Sequence, residues 1–532
     1  MNINFFWRKF IQFHTKLFIL IQNTSNFVLY FRANQGLTMK KFLWTTFALF
    51  LFLLIGCSDN SKLANRVFGI NDLKHKKVGV QIGNTADIYA TDFGGDTAKI
   101  QVERYSKLAD AIQALKQGKI EAILCDNQPA IAFVKKNPSL DILEEVFVEE
   151  TYAGVIAKKN TSLLDSVNLA FEQLKVSGIY DSIINTYINE TSNFHYIPKT
   201  KNAPKLVLAT NAQFPPYEFH TANGIEGIDI EIAYFIADFL GRELEIQDME
   251  FDAIINAVNS GKADIGLAGF TITEERKQSI NFTTPYANSK IVIVVRKNSS
   301  SEQSLSIKEL FYNNLIKDSR WKFIVEGLGN TLIISLFAAL LGVFIGTAIS
   351  FIRCTNEVTG RLKILNRISM IYLAIIRGTP VMVQLLIIYY VIFSSVNVNK
   401  ILVAIIAFGI NSGAYVSEIL RSGFKAIDPG QVEAGRSLGL KFGHILRHIT
   451  FPQAFKNSLP AMTNEFITLI KETSICGYIG LTDLTRGGDI IRSLTYEAML
   501  PLLIVAAIYF IMVAGLSTCV ARLEKRLKKN ER

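Results

Sequence analysis

Two textures divide the chain. From residue 71 to about 300, short apolar runs give way to polar turns and then to amphipathic stretches. KKVGVQIG (76–83), IEAILCD (120–126) and LVLATN (206–211) have the length and branched content of buried strands. KLADAIQALKQG (107–118) is amphipathic and stops at Gly118. IEIAYFIADFL (230–240) places Ile232, Phe235, Ile236, Phe239 and Leu240 on one helical face. FDAIINAVNSGKADIGLAG (251–269) repeats the helix, glycine, strand order of DAIQALKQGKIEAILCD (110–126), which predicts two α/β lobes of similar architecture. After residue 323 the polar punctuation thins. Apolar segments at roughly 331–352, 372–394, 400–421, 458–480 and 498–520 are each long enough to cross a bilayer at about 1.5 Å per residue. The expected architecture is a two-lobed α/β domain followed by an all-α membrane domain of about five transmembrane helices.

Composition changes this picture little. The chain has 532 residues, 49% of them hydrophobic, and a net charge of +10. Nucleic acid is not the partner that charge implies, because no basic stripe interleaved with aromatics occurs in the soluble part. The basic residues cluster between apolar segments instead: Arg353, Arg361, Lys363 and Arg367, then Arg421, Lys425, Arg436, Lys441, Arg447 and Lys456, then the tail RLEKRLKKNER. That distribution predicts loops on the cytoplasmic side and the α/β domain on the outer face of a membrane. Five cysteines (Cys57, Cys125, Cys354, Cys476 and Cys519) show neither CxxC nor His/Cys spacing, so no disulfide framework and no metal site is expected.

MKKFLWTTFALFLFLLIGCSDN (39–60) reads as a secretory signal. Its Leu54-Ile55-Gly56-Cys57 resembles the bacterial lipoprotein box, which implies cleavage before Cys57 and lipid on its sulfur. Without that resemblance the segment is an ordinary first membrane helix ending in a cysteine. Residues 1–38 are read as an upstream extension from an early start codon, with Met39 the alternative first residue, or as an extra anchor.

FPPYEF, GIDIEIA, MEFDAII, SGKADIGLAGFTITEERK and INFTTPY (within 214–286) resemble, in order and spacing, the first lobe of bacterial binding proteins for polar amino acids. DLKHKKVGVQIGNTA, GKIEAILCD and YAGVIAKKN…LKVSGIYDSIINTY resemble that family's second lobe and returning C-terminal helices. Here the second lobe and return (58–200) precede the first lobe (201–300). The resemblance therefore implies a circular permutation, with SNFHYIPKTKNAPK (192–205) joining the usual ends and new ends cut at the interlobe crossover. Two truncated domains, or lobes exchanged between two chains, are the alternatives.

Site residues follow from the same resemblance. Arg276 would fork the ligand carboxylate, with Gly269 and Thr271 adding a backbone and a hydroxyl contact. Alone, Arg276 reads as a solvated arginine in a helix's first turn. Asp126 would take the ammonium; otherwise it is a strand-end turn residue. Thr85 would direct a helix N-terminus at the carboxylate, and is otherwise that helix's N-cap. Phe214 and Phe251 would sandwich the aliphatic part, though phenylalanine is more often core. Asn211 and Gln81 match positions that read the ligand side chain, and the amide at 211 favours a neutral ligand such as glutamine over lysine or arginine.

Beyond a linker (301–330), residues 331–532 carry IRGTPVMVQL (376–385), AFGINSGAY (407–415) and LIKETS (469–474), which resemble the histidine/glutamine permease family. DPGQVEAGRSLGLKFGHILRHITFP (428–452) starts as a capped helix with proline at its first turn. Its Glu433, Ala434, Gly435 and Gly439 resemble the loop by which such permeases dock on their ATPase; an amphipathic helix lying on the membrane is the alternative. Glu418, Glu465, Lys471 and Glu472 lie in or near spans, where ionisable groups face a cavity or partner rather than lipid. No phosphate-binding GxxxxGK[ST] occurs, so the chain is expected to bind no cofactor and to rely on a separate ATPase. The whole reads as the receptor and permease of an importer for a polar amino acid, working as a homodimer. A ligand-gated channel or sensor and an enzyme on a solute-binding fold are the competing readings, and catalytic residues are expected to be absent.

Overall fold

The computed structural model describes residues 65–93, 99–297, 306–394, 396, 398–495, 497 and 499–529. The expected signal, Cys57 and the extension 1–38 lie outside the described residues.

In the α/β region the strands are β1 (Lys77–Gln81), β2 (Gln101–Tyr105), β3 (Ala122–Asp126), β4 (Leu140–Tyr152), β5 (Val155–Ala157), β6 (Lys205–Thr210), β7 (Gln213–Phe214), β8 (Glu218–Thr221), β9 (Gly224–Glu226), β10 (Glu243–Asp248), β11 (Ile265–Gly266), β12 (Ile280–Phe282) and β13 (Ala287–Arg296). Its helices are α1 (Thr85–Asp92), α2 (Leu108–Lys116), α3 (Asn127–Lys136), α4 (Thr161–Val176), α5 (Ile179–Tyr187), α6 (Ile228–Phe239), α7 (Phe251–Asn259) and α8 (Glu274–Ser279).

Two five-stranded sheets form. One, the upstream lobe, has the order β2-β1-β3-β13-β4; the other, the downstream lobe, has β10-β6-β11-β5-β12. A small antiparallel sheet β7-β8-β9 accompanies them. In each large sheet the first three strands run parallel, joined by helices. Such strands are covered on both faces, which is why β3 is buried at every position and reads as an unbroken apolar run. The helices bury the faces their spacing predicts: Leu108, Ala111, Ile112 and Leu115 on α2, and Ala253, Ile254, Ala257 and Val258 on α7.

The lobe boundaries differ from expectation. β13, expected with the downstream lobe, pairs antiparallel with β3 and β4 of the upstream one. β5, from the upstream segment, lies between β11 and β12 of the downstream one. Sequence order hides this, because both strands lie just past a crossover and their apolar pattern suits either sheet. α4 and α5 likewise pack on the downstream lobe, where Val167, Phe171 and Ile183 share a core with Leu206, Ile232 and Ile236. Phe171 also stacks on Tyr286 at 5.6 Å; burying such a ring stabilises by about 1.5–3 kcal/mol.

The segment 192–205 is held along α6 rather than loose. Asp238 accepts from the Lys199 and Thr200 amides, each at 2.8 Å, and from the Tyr196 hydroxyl at 3.0 Å; Glu231 accepts from the Tyr196 amide at 2.7 Å.

The helical part comprises α9 (Trp321–Thr359), α10 (Lys363–Gly378), α11 (Val381–Ile387, prolonged to Ile392), α12 (Lys400–Lys425), α13 (Pro429–Ser437), α14 (Phe451–Glu472), α15 (Leu484–Thr495) and α16 (Met499–Lys529). Among the described residues three helices are long and apolar enough to cross a membrane: Trp321–Thr359, Lys400–Lys425 and Met499–Arg522. A fourth is reached if Lys363–Gly378 and Val381–Ile392, bent by 109°, are one span. The bend falls at Thr379-Pro380, inside the stretch expected as 372–394; proline at 380 cannot continue the helical hydrogen-bond ladder. The segment 458–480 is not in this set. Its helix α14 carries Glu465, Lys471, Glu472 and an internal Pro460, and gives way to a 3-10 turn at Thr473. Glu418 is no lone charge, being paired with Arg353 of α9 and, at 2.9 Å, with Arg421.

The capped start of the 428–452 segment forms as its sequence implies. The Asp428 side chain accepts from the Gly430 amide at 2.9 Å and Pro429 opens α13. Glu433 and Ala434 are exposed, while Gly435 is buried. A Cβ at 435 would meet Ile445 side-chain carbons at 3.0 Å, so the close approach of the following turn accounts for glycine there.

Candidate functional site

The two lobes face each other across a narrow cleft. Gln81, Thr85, Asp126, Asn211, Phe214, Phe251, Gly269, Thr271 and Arg276, the nine residues picked from the sequence, all line it, together with Asn84, Glu218 and Ala268. The upstream lobe brings strand ends and a helix start: Gln81 ends β1, Asp126 ends β3 and Thr85 opens α1. Asn84, the residue before α1, also comes from the upstream lobe, and the rest from the downstream lobe.

Arg276 sits in α8, whose N-cap Thr273 accepts from the Arg276 amide at 3.2 Å. Its guanidinium donates to the Thr271 carbonyl at 2.9 Å and, across the cleft, to the Gly83 carbonyl at 2.7 Å. The planar cation lies 5.8 Å from the Phe251 ring centre and 5.6 Å from that of Phe270. These rings stack at 4.7 Å, so the wall expected from Phe251 alone is a pair. Phe214 packs instead against Tyr152 and Tyr217. Gly269 has φ +58°, and a Cβ there would come 2.8 Å from Phe214. Only glycine suits both the left-handed backbone and the approach of that ring.

Thr85 is not the N-cap of α1. Asn84 is, its side chain accepting from the Asp87 amide at 3.1 Å. The Thr85 hydroxyl is thereby free to face the Thr271 hydroxyl, 3.4 Å away across the cleft. Asn211 spends its amide N–H on the Met249 carbonyl at 2.7 Å.

The electrostatics are dominated by buried carboxyls. Burial pushes Asp126 up to about 7, against the pull of hydrogen bonds from Tyr152 and Ser289. Burial also raises Glu150, although Thr85, Thr271 and Arg276 favour its charged form. Burial raises both Glu218 and Asp229; like charge from Asp229 adds to the rise at Glu218, while the Tyr286 hydroxyl pulls Asp229 back, to about 7. Asp229 accepts from the Tyr286 hydroxyl at 2.8 Å, while both Glu218 oxygens are buried without a hydrogen-bond partner. Arg276 is thus one cation among four acids. Sequence reasoning missed Glu150, Tyr152, Glu218, Asp229, Phe270 and Ser289. FPPYEF and GIDIEIA contain Glu218 and Asp229, YAGVIAKKN opens on Tyr152 and SGKADIGLAGFTITEERK contains Phe270, so these four could have been prompted; nothing local marks Glu150 or Ser289.

A cleft with a guanidinium at one end, a buried carboxylate at the other and aromatic walls between can hold a zwitterion with a side chain.

The profile of the bacterial extracellular solute-binding proteins, family 3, matches residues 206–477, more than half of the chain. The match begins at β6 and runs on into the helical part; the upstream strands that complete both sheets precede it. The chain is 37% identical over 211 residues to the arginine transport system permease protein ArtQ of Bacillus subtilis (strain 168), which is 39% of this chain and 94% of that one. It is 35% identical over 208 residues to the glutamine transport system permease protein GlnP of Escherichia coli (strain K12), 38% of this chain and 93% of that one. Among solved structures, an amino acid ABC transporter with histidines is 40% identical over 39% of this chain and 94% of its own, with a TM-score of 0.36. The arginine-bound domain 1 of TmArgBP is 40% identical over 18% of this chain and 82% of its own, with a TM-score of 0.16.

Proposed function

The chain belongs to the bacterial extracellular solute-binding proteins, family 3, and carries a permease akin to those of arginine and glutamine systems; from that premise we propose that it is receptor and permease in one for an ATP-driven amino acid importer. The observation that carries this is the cleft, where residues from both lobes answer each part of an amino acid. Arg276 takes the carboxylate, with the Gly269 amide and the Thr271 and Thr85 hydroxyls around it. Asp126 takes the ammonium, and Phe214 and Phe251 hold the aliphatic part.

The receptor is a circular permutation. Interleaved sheets are what one complete domain gives when its ends are joined and reopened, and the anchored segment 192–205 is the join. The reopening falls after β13, inside the upstream lobe, and not at the crossover. Five passes, with α14 the fifth beside the bent pair, put the receptor outside and α13 inside. There Glu433, Ala434, Gly435 and Gly439 meet a separate ATPase, which supplies the nucleotide chemistry. Two copies pair to complete the pore. Cys57 is the lipidation site if translation starts at Met39.

Asn211 and Gln81 favour a neutral amide ligand such as glutamine. A cationic amino acid is the second reading, supported by Glu218, whose carboxyl is buried and unpartnered in the cleft wall. The test is uptake of labelled L-glutamine and L-arginine by cells dependent on this chain. Uptake of one, competed by the other weakly and abolished in Arg276→Ala, is expected. Uptake equal in the mutant, or of neither by the wild type, contradicts the proposal.

A further inference from the structure

One helix of the permease touches both lobes of the receptor. α15 carries Arg486, Asp489 and Arg492 at three-residue spacing, hence on one face. Arg486 is buried and its fork is filled by the downstream lobe: it donates to Asp248 at 2.6 Å, where β10 ends, and to Glu250, the N-cap of α7. Asp489 and Arg492 turn to the upstream lobe, where they pair with Lys107 and Asp110 at the start of α2. Lys136 of the same lobe donates to the Leu494 carbonyl at the far end of α15, at 3.1 Å. Lys107 also lies 3.7 Å from Glu250, closing the row across the cleft mouth.

The pairs fit by sign as well as by position. The downstream lobe offers two carboxylates to one end of α15, and the upstream lobe offers a lysine and an aspartate further along. Burial alone would raise the pKa of Asp248, yet Arg486 and His220 hold it well below the usual range; Lys107, Arg492 and Arg486 also lower that of buried Asp489. Both carboxylates are thus charged and committed to their partners. From Arg486 to Arg492 the helix advances about 9 Å, a rigid span that neither lobe can follow if the other moves away. The same face borders a cavity of about 330 Å³ that shares Gln81 and Phe251 with the amino acid cleft.

We propose that α15 is a latch that holds the two lobes together, so that the permease sets the affinity of the receptor in cis. Opening the cleft requires one lobe to release its half of the row. By linkage, any movement of α15 that breaks one half weakens ligand binding, and ligand binding favours the position of α15 seen here. This rests on the importer reading only for the identity of the ligand; the clamp itself is a matter of lobe separation.

The test uses the full chain in lipid nanodiscs, with Cys57, Cys354 and Cys519 replaced by serine. Spin labels go at Asp92→Cys in the upstream lobe and Glu274→Cys in the downstream lobe, both exposed positions. Interlobe distances are read by double electron–electron resonance without amino acid, and affinities by titration with L-glutamine and L-arginine. Asp110→Asn and Arg486→Gln should each lengthen the distance and weaken binding about tenfold, while Glu172→Gln at an exposed position of α4 should keep both at wild-type values. Asp110 is partly exposed, so its mild substitution remains informative if the buried arginine variant misfolds. Unchanged distances in Asp110→Asn overturn the latch even if no amino acid binds. A wild type that binds neither probe, with distances that do respond, contradicts the ligand assignment alone.

Discussion

In the upstream lobe the strand that crosses in from the other half of the domain is β13; in the downstream lobe it is β5. Each takes the fourth place in a five-stranded sheet, antiparallel to the strand before it. The framework is therefore the same twice over, but the side chains set on it are not. The downstream lobe holds the cation, the aromatic walls and the glycine that lets Phe214 approach. The upstream lobe holds the acid and a helix N-terminus with its threonine. A repeated fold thus carries different side chains in its two lobes. On the proposed reading recognition and closure are one event, because Arg276 and Asp126 come from different lobes.

Removing each lobe's charge in turn sharpens this comparison. Arg276→Ala should weaken amino acid binding by at least about a hundredfold, since it deletes one partner of a desolvated charge pair. Asp126→Asn should cost somewhat less, about thirtyfold, because the amide still accepts a hydrogen bond from the ammonium. Calorimetric titration reads both; equal tolerance of either change would mean that the lobes do not share the ligand.

The pH dependence should belong to the upstream lobe. Asp126 titrates at about 7, so below that pH it must lose a proton before it can pair with the ammonium. Affinity should then fall by about tenfold per unit as pH drops well below 7, and Asp126→Asn should flatten the profile. The empty receptor carries the opposite sign. A raised carboxyl pKa contributes stability that is full in acid and is lost as pH rises through about 7, so ligand should stabilise more at pH 8 than at pH 5 in thermal unfolding.

Smaller effects separate packing from chemistry. Gly269→Ala forces a Cβ against Phe214 at positive φ and should destabilise the downstream lobe by about 1–2 kcal/mol, seen as a lower unfolding midpoint. Asp238→Ala frees the segment 192–205 from three hydrogen bonds and should cost about 1 kcal/mol, with faster proteolysis confined to that segment. Destabilisation spread over the upstream lobe instead would argue against the join.

Much of this was legible before any coordinates. Arg276, Thr271 and Gly269 lie within one short motif, and the strand-end positions of Gln81 and Asp126 follow from apolar runs that stop there. What escaped was set by distance along the chain. Glu150 lies in β4, a long strand of mixed burial, and Tyr152 ends that strand although it also opens YAGVIAKKN; they reach Thr271 and Asp126 only once the crossover is made. The α15 row reads as an ordinary charged helix face, since its partners Lys107, Asp110, Asp248 and Glu250 stand hundreds of residues upstream. The segment 458–480 shows the limit of composition: apolar Phe466, Ile467, Leu469 and Ile470 suggest a span, while Glu465, Lys471 and Glu472 beside them leave its helix outside the set long and apolar enough to cross.

The central claim is that residues 65–297 form one complete amino acid receptor despite their order. The most direct measurement is titration of the full chain in nanodiscs with L-glutamine and L-arginine, alongside Arg276→Ala. Saturable binding of one amino acid per chain, lost in the variant, is the predicted result. Binding that survives in Arg276→Ala, or half an amino acid per chain, would contradict a cleft closed within a single chain.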